Sequence, residues 1–302
     1  MTDSVLILGA NGKIGSRAAE AFWNAGWTVR RYERGTDMVT AAKGCDVIVN
    51  GLNPPAYHNW ATLIPQITQQ VIAAAKANGA TVIVPGNVYN LDGQGGEWSE
   101  HTPHAPVTRK GKIREDMERA YQASGVQTIV LRAGDFIDPD GNGDMMQMVH
   151  LRNINKGRVV SPGDPDALHC YCYVPDWAQA AQMLAAKRHL LAQFEDVPFA
   201  GITMTTRELA HKLGDISERD LTLSGFPWAI MRLLSPFWEL ARELMEMRYL
   251  WNIPHRLNGG KLTELLPDFR PTHLDDVLSH ALAAQVHPDQ TMRPSSKPVI
   301  AQ

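Results

Sequence analysis

Short apolar runs alternate with longer amphipathic stretches through the first half of the chain. Residues 4–8, built on Val5-Leu6-Ile7-Leu8, predict a buried strand. Residues 13–25 space Ala18, Ala19, Phe22 and Trp23 so that they can face a sheet, and Gly26 is placed to end that helix. Residues 28–32 predict a second strand and Cys45–Asn50 a third. A helix is expected from Tyr57, His58 and Trp60 to about Gly79, kinked by Pro65. A fourth strand covers 81–85, a Gly-, Pro- and His-rich loop 91–107, a charged helix 109–124 ending at Gly125, and a fifth strand 127–132. Strands that alternate with helices at this spacing predict an α/β, doubly wound parallel sheet with right-handed crossovers.

The pattern changes after Arg132. Residues 133–143 are turn-rich, and Met145, Met146 and Met148 follow. Residues 169–174 predict a strand, with Asp176 capping a helix to Ala186. Thr205 and Glu208 stand at capping-box spacing. Ser235-Pro236 reads as an N-cap with proline at the first helical position, splitting 227–251 into a short helix and a longer one. Its Met and Trp stripe is most simply core or a subunit contact. Lys261 to Ala284 predicts a short helical tail. The expected organisation is a nucleotide-binding body over 1–134, to which 169–190 returns. A smaller, mostly helical substrate part covers 135–168 and 191–288, and 289–302 is a loose tail.

Candidate chemistry begins where the first strand ends. Gly9-Ala10-Asn11-Gly12-Lys13-Ile14-Gly15 places three glycines between a strand and a helix. Gly9 allows the tight turn, Gly12 lets backbone approach a pyrophosphate, and Gly15 lets the helix pack close. The helix start aims free amides and the positive end of its dipole at phosphate. This is the Rossmann βα unit, and it implies a nicotinamide dinucleotide, NADP or NAD. Glu33 falls 18 residues after Gly15, where a carboxylate would accept ribose hydroxyls. Arg34 beside it suits a 2′-phosphate instead, as would Arg30 or Arg31 if turned inward, which tilts the expectation slightly to NADP. Asn50, Gly51, Leu52 and Asn53 follow the third strand and Gly86 the fourth, at the sheet edge where such sheets bind ligands.

Composition narrows the classes. The 302 residues are 44% apolar and 20% charged, as in a globular chain. A net charge of -3 offers no basic field to nucleic acid. Three cysteines, Cys45, Cys170 and Cys172, suit a reducing compartment. No leader pattern and no uncharged bilayer-length run is evident, so a cytoplasmic protein without membrane contact is expected. His101 and His104 lack a partner spacing for metal. Strand alternation puts His169 and Cys172 on opposite faces, so no metal site is expected.

Four segments, in order, resemble the extended and atypical short-chain dehydrogenase/reductases of the NAD-dependent epimerase/dehydratase group. They are the Gly9, Gly12, Gly15 turn, Val88-Tyr89, Leu131-Arg132-x-Gly134-Asp135-Phe136, and Tyr173-Val174-x-Asp176-x-Ala178. The resemblance implies a proton relay from a serine and a Tyr-x-x-x-Lys, the lysine also holding the nicotinamide ribose. Here the serine position reads Pro85 and the tyrosine position Thr108, while Lys112 takes the lysine position. Lys110-Gly111-Lys112-Ile113-Arg114 also resembles the K-x-x-I-R pattern of the isoflavone-reductase-like branch, which implies Lys110 as the acid/base group. On a helix Lys110 and Lys112 stand about 200° apart, so one of them faces the nucleotide. Tyr89 is the nearest replacement phenol. The expected function is hydride transfer between nicotinamide and a small-molecule carbonyl, hydroxyl or activated alkene. Alternatives are a non-catalytic NAD(P)-sensing regulator and, lower, a sugar-nucleotide epimerase or dehydratase. A homodimer is left open.

Overall fold

The computed structural model describes residues 2–141 and 143–286. Six strands form the main sheet: β1 (Ser4–Leu8), β2 (Thr28–Arg31), β3 (Val47–Asn50), β4 (Thr81–Gly86), β6 (Thr128–Arg132) and β10 (Phe194–Pro198). They are parallel throughout, in the order β10-β6-β4-β3-β1-β2. The four central strands β1, β3, β4 and β6 are buried along almost their whole length because both faces are covered, whereas the edge strands β2 and β10 carry charged residues. Val5 and Ile7 enter one core cluster with helices α1 (Lys13–Asn24) and α5 (Val174–Ala186). Leu6 and Leu8 enter the other, with α2 (Met38–Ala41), α3 (Trp60–Asn78) and α4 (Arg109–Ser124). Ala18 and Ala19 of α1 and Ala178 and Ala181 of α5 belong to that first core, and the Trp177 indole donates to the Leu131 carbonyl at 3.0 Å.

The rest of the chain builds three small sheets besides its helices. β7 (Asp135–Ile137) and β11 (Ile202–Met204) flank β9 (His169–Tyr173). β12 (Thr222–Gly225) pairs β8 (Arg158–Ser161), and β13 (His255–Leu257) pairs β5 (Gly96–Trp98). The remaining helices are α6 (Thr206–Ser217), α7 (Trp228–Leu234), α8 (Glu239–Met247), α9 (Gly260–Leu265) and α10 (Leu274–Val286).

Several sequence expectations are corrected here. The sixth strand, 194–198, belongs to the main sheet and not to the substrate part; Glu195 and Asp196 within it hide an apolar run. The smaller part carries short strands beside its helices, and the 91–107 loop contains β5; strands of three to five residues are too short for periodicity to reveal. Asp176 does not cap α5, which starts two residues earlier; its carboxylate instead accepts from Thr272 N at 2.9 Å and Thr272 Oγ1 at 2.6 Å. Ser235 ends α7 and does not open α8, whose N-cap is Trp238, although the split of 227–251 is where expected. α3 runs as one helix through Pro65, which lies in its second turn. The Thr205–Glu208 capping box is present with both bonds. The expected tail at 289–302 lies outside the described residues.

Candidate functional site

The glycine turn is built from backbone packed on backbone. Gly9 sits at φ +72°, and a Cβ there would come 2.8 Å from the Gly51 carbonyl. A Cβ on Gly15 would overlap the Gly9 carbonyl, and one on Gly51 would come 2.7 Å from the Leu8 carbonyl. Only these glycines let β1, α1 and the β3 exit come together. Gly12 differs: a Cβ there would meet just the Gly9 carbonyl at 3.3 Å, and Gly12 and Asn11 are exposed. Gly12 is the N-cap of α1 and no side chain caps the helix. The amides of Lys13, Ile14 and Gly15 therefore have no intrahelical acceptor. An open, uncapped helix start beside a side-chain-free turn fits a pyrophosphate. The Lys13 ammonium bonds the Gly143 carbonyl at 3.2 Å.

Glu33 and Arg34 are both exposed just past β2. Arg30 is not turned to that end: its guanidinium donates to the Lys43 carbonyl at 2.6 Å. Asn50 is buried, with Nδ2 donating to Tyr121 Oη at 3.2 Å and Oδ1 accepting from Leu52 N. Asn50 thus shapes the turn that carries Gly51 and Leu52, while Asn53 is exposed. Gly86 abuts β6, where a Cβ would come 2.7 Å from Val130.

The two lysines of α4 part company. Thr108 is the helix N-cap, its hydroxyl accepting from Gly111 N at 3.0 Å. Lys112 is half-exposed, its ammonium 2.9 Å from Glu115 and 2.6 Å from Asp116, carboxylates three and four residues on. Those bonds, led by that to Asp116, raise its pKa. Lys112 thus pairs with acids of its own helix on the exposed side of α4. Lys110 is fully buried on the opposite side. Its ammonium touches Glu243 and lies 2.7 Å from Glu246, both on α8, and its amide donates to Glu246 Oε1 at 2.8 Å. It also stands 5.0 Å over the Tyr57 ring. Arg109 grips Glu243 with Nη2 at 2.8 and 2.9 Å from its two oxygens.

One turn along α4, buried Arg114 donates to the Pro85 carbonyl at the end of β4. Gly111 lies so close to Tyr89 that a Cβ would overlap its carbonyl. Lys110 and Arg114, four residues apart, therefore share the inner face, where the β3 and β4 exits meet. Tyr57 and Tyr89 close this group, their hydroxyls 3.3 Å apart. Burial pushes Tyr57 up to about 12 and Tyr89 well above its ordinary value, so both phenols stay protonated. Backbone strain marks the approach: Ala56, Tyr57 and Asn59 all have positive φ. The participation of Glu243, Glu246 and Arg114 was missed from sequence. The i, i+4 spacing of Lys110 and Arg114 was the signal for one of them; no local signal links α8 to α4.

Across the group, Asp135 bonds His169 Nε2 at 3.0 Å. Burial works to raise the Asp135 pKa, but the His169 bond and charge bring it below its ordinary value. The His169 ring lies 4.5 Å from His255, which stacks 4.9 Å from Trp98. Elsewhere, His104, Glu118 and Asp196 offer ligand atoms within 4.8 Å of one another, yet the buried Arg132 guanidinium already bonds both carboxylates at 2.6 Å. The three cysteines are buried and unpaired with one another, and burial raises each thiol.

The parallel main sheet covered by helices on both faces and the glycine turn after β1 make a Rossmann-type fold. Solved structures across the chain share it. MoeE5 in complex with UDP-glucose and NAD matches with a TM-score of 0.71 and 15% identity over 95% of this chain and 99% of that one. RMD from Pseudomonas aeruginosa, complexed with NADPH, matches with a TM-score of 0.69 and 16% identity, over 94% and 99%. UDP-N-acetylglucosamine 4-epimerase from Bacillus cereus matches with a TM-score of 0.70 and 15% identity, over 94% and 100%. No family model matches the sequence, and no curated protein matches it. No helix among the described residues is long and apolar enough to cross a membrane.

Proposed function

We propose that this chain binds a nicotinamide dinucleotide, NADP(H) ahead of NAD(H), and reduces a small carbonyl compound or activated alkene. The observation that carries the proposal is Lys110: a buried ammonium beside two protonated phenols, where the β3 and β4 exits meet α4. The open edge of a parallel sheet is where such ligands sit. The amides of Lys13, Ile14 and Gly15 would hold the pyrophosphate, with Arg34 or Glu33 reading the ribose. A bound reduced nicotinamide supplies the hydride. Lys110 delivers the proton to the oxygen, or to the alkene carbon, that gains charge as the hydride arrives. The Tyr57 and Tyr89 hydroxyls donate hydrogen bonds to the same oxygen. Arg114 fixes the end of β4 beneath them.

The test combines nucleotide titration with turnover. Arg34→Ala is expected to weaken NADPH about tenfold and NADH less than about twofold. Lys110→Met is expected to cut turnover about 100-fold with nucleotide affinity nearly unchanged, and Lys112→Met to change neither. Failure of the wild-type chain to bind either nucleotide sinks the proposal. A second reading, a nucleotide sensor without turnover, draws on the closure of Lys110 beneath α8. A single-turnover assay separates them: NADPH bound but never oxidised by any carbonyl favours the sensor. The epimerase and dehydratase reading ranks last, because Lys110 and Arg114, and no tyrosine, occupy the inner face of the first turns of α4.

A further inference from the structure

α7 and the turn that follows it carry the densest group of exposed apolar side chains among the described residues. Of the eleven large apolar side chains exposed there, five fall within nine positions: Ile230, Leu233, Leu234, Phe237 and Trp238. Phe237 is 92% exposed, Leu233 75% and Ile230 55%. Ile230, Leu233, Leu234 and Phe237 recur at i, i+3, i+4 and i+7, the spacing of the side that a surface helix normally turns to its core. Here that side turns outward, and no residue of α7 is buried. Single exposed apolar residues are ordinary, but a cluster of this kind marks an interaction surface.

The element is held at its base. The Trp228 indole donates to the Pro162 carbonyl at 2.6 Å, and the Arg248 guanidinium stands 5.3 Å over the same ring. Arg152 stands 5.7 Å over Phe226, two residues earlier. On the other side the chain runs directly into α8, where Ala241, Glu243 and Met247 are buried. The apolar tip is therefore presented by anchored neighbours on both sides.

Charge identifies the partner. From Leu221 to Trp238 the chain carries one charged residue, Arg232, and no acid. Arg232 is exposed within the cluster, and Arg242 is exposed near the start of α8. The first acid, Glu239, bonds His58 Nδ1 at 2.9 Å, and Glu243 bonds Lys110 and Arg109. Apolar side chains set around an arginine and bounded by Phe and Trp match the boundary between lipid headgroups and acyl chains. Leucine and phenylalanine sink, tryptophan sits at headgroup level, and the long arginine stem reaches back to phosphate. A second copy of the chain fits less well, because a two-fold contact centred on α7 sets Arg232 against its own copy. We propose that α7 and the 235–238 turn dock the chain on an anionic lipid surface, lying in the plane of the interface. The sequence expectation of no membrane contact rested on the lack of a bilayer-length run, which an interfacial element does not need. The docking is independent of the reading of Lys110.

The test is co-sedimentation of the full chain with vesicles of phosphatidylcholine, alone or with about one third phosphatidylglycerol. The net charge of -3 repels the mixed vesicles, so uptake reports the local cluster. The mixed vesicles are expected to take up the chain at least about tenfold better, and about 0.5 M NaCl to remove most of that difference. Leu233→Ser combined with Phe237→Ser is expected to lower uptake about 100-fold, since two large apolar side chains no longer leave water. Arg232→Gln is expected to lower it about fivefold and to weaken the salt dependence. Leu190→Ser, at an equally exposed leucine outside the hairpin, should leave uptake unchanged. These side chains are exposed, so melting temperatures should stay near that of the wild type. Should the double variant unfold, Phe237→Ser alone, expected to cost about tenfold, decides. No uptake by either vesicle, equal uptake by both, or uptake that the Leu233 and Phe237 changes do not move overturns the proposal. So does a chain that light scattering shows as a dimer, that the double variant dissociates and that neither vesicle takes up, because a second copy then covers the face.

Discussion

Arg132 shows what one buried charge can hold together. It is 1% exposed, and its guanidinium bonds Glu118 of α4, Asp196 of β10, the Asn87 carbonyl and Asn90. Those partners tie three consecutive positions of the sheet edge to α4, just behind Tyr89. Burial acts against the charge of Arg132, but Glu118 and Asp196 more than offset it, and its pKa is raised. Removing one member of such a cluster strands the others. Arg132→Met is therefore expected to cost about 3–5 kcal/mol of stability, measured as a shift of the urea midpoint. The equivalent change at solvent-exposed Arg207, paired with Asp166, should leave the midpoint nearly unmoved. Sequence shows Arg132 as the last residue of an apolar run and a member of the Leu131-Arg132-x-Gly134 segment, with no sign of its partners. Its role depends on residues 14 and 64 positions away.

The glycine turn is the element where sequence and structure agree most fully, because its requirements are local. Strand, turn and helix are contiguous, and Gly9 and Gly15 each have a steric reason visible within seven residues or at the neighbouring strand exit. It also separates two effects that are usually mixed. Gly15→Ala drives a methyl into the Gly9 carbonyl and is expected to destabilise the fold by roughly 1–3 kcal/mol. Gly12 has φ -90°, and a Cβ there meets only the Gly9 carbonyl, at 3.3 Å, so Gly12→Ala should lower the melting temperature by no more than about 4 °C, well short of the Gly15→Ala effect. It should weaken nucleotide binding about tenfold, since the methyl stands where phosphate oxygens approach. Calorimetry and nucleotide titration on the two variants check both halves. The lysine helix was less legible. The register of the helix put Thr108 and Lys112 at the Tyr-x-x-x-Lys positions and left Lys110 as the alternative acid/base group; in the structure Thr108 caps the helix, Lys112 pairs with the acids after it and Lys110 is buried. α8 could not be attached at all from sequence, because its ion pairs with α4 span more than 130 positions.

At the scale of the molecule, acid sensitivity follows from histidines buried in the smaller part. Burial foremost pulls His150 and His255 down from 6.5 to about 4. Their values in the folded chain lie below those in the unfolded chain. The unfolded chain therefore takes up their protons first as pH falls. Stability should hold above pH 6.5, decline between 6.5 and about 4, and level off below, by up to about 3 kcal/mol per histidine. Urea midpoints across that range test the slope, and His255→Phe should remove its share of it.

The main sheet ends in β2 on one side and β10 on the other. β2 is four residues long and exposes Thr28, Arg30 and Arg31. β10 contains Glu195, Asp196 and Pro198, and α9 packs against it, with Lys261 bonded to Glu195. Neither rim is fit to accept another strand: one is short and positively charged, the other is shielded and interrupted by a residue with no amide hydrogen. Self-association by extension of the main sheet is thus disfavoured at both rims. Concentrated solutions of the folded chain should resist growth into sheet-continuous fibrils.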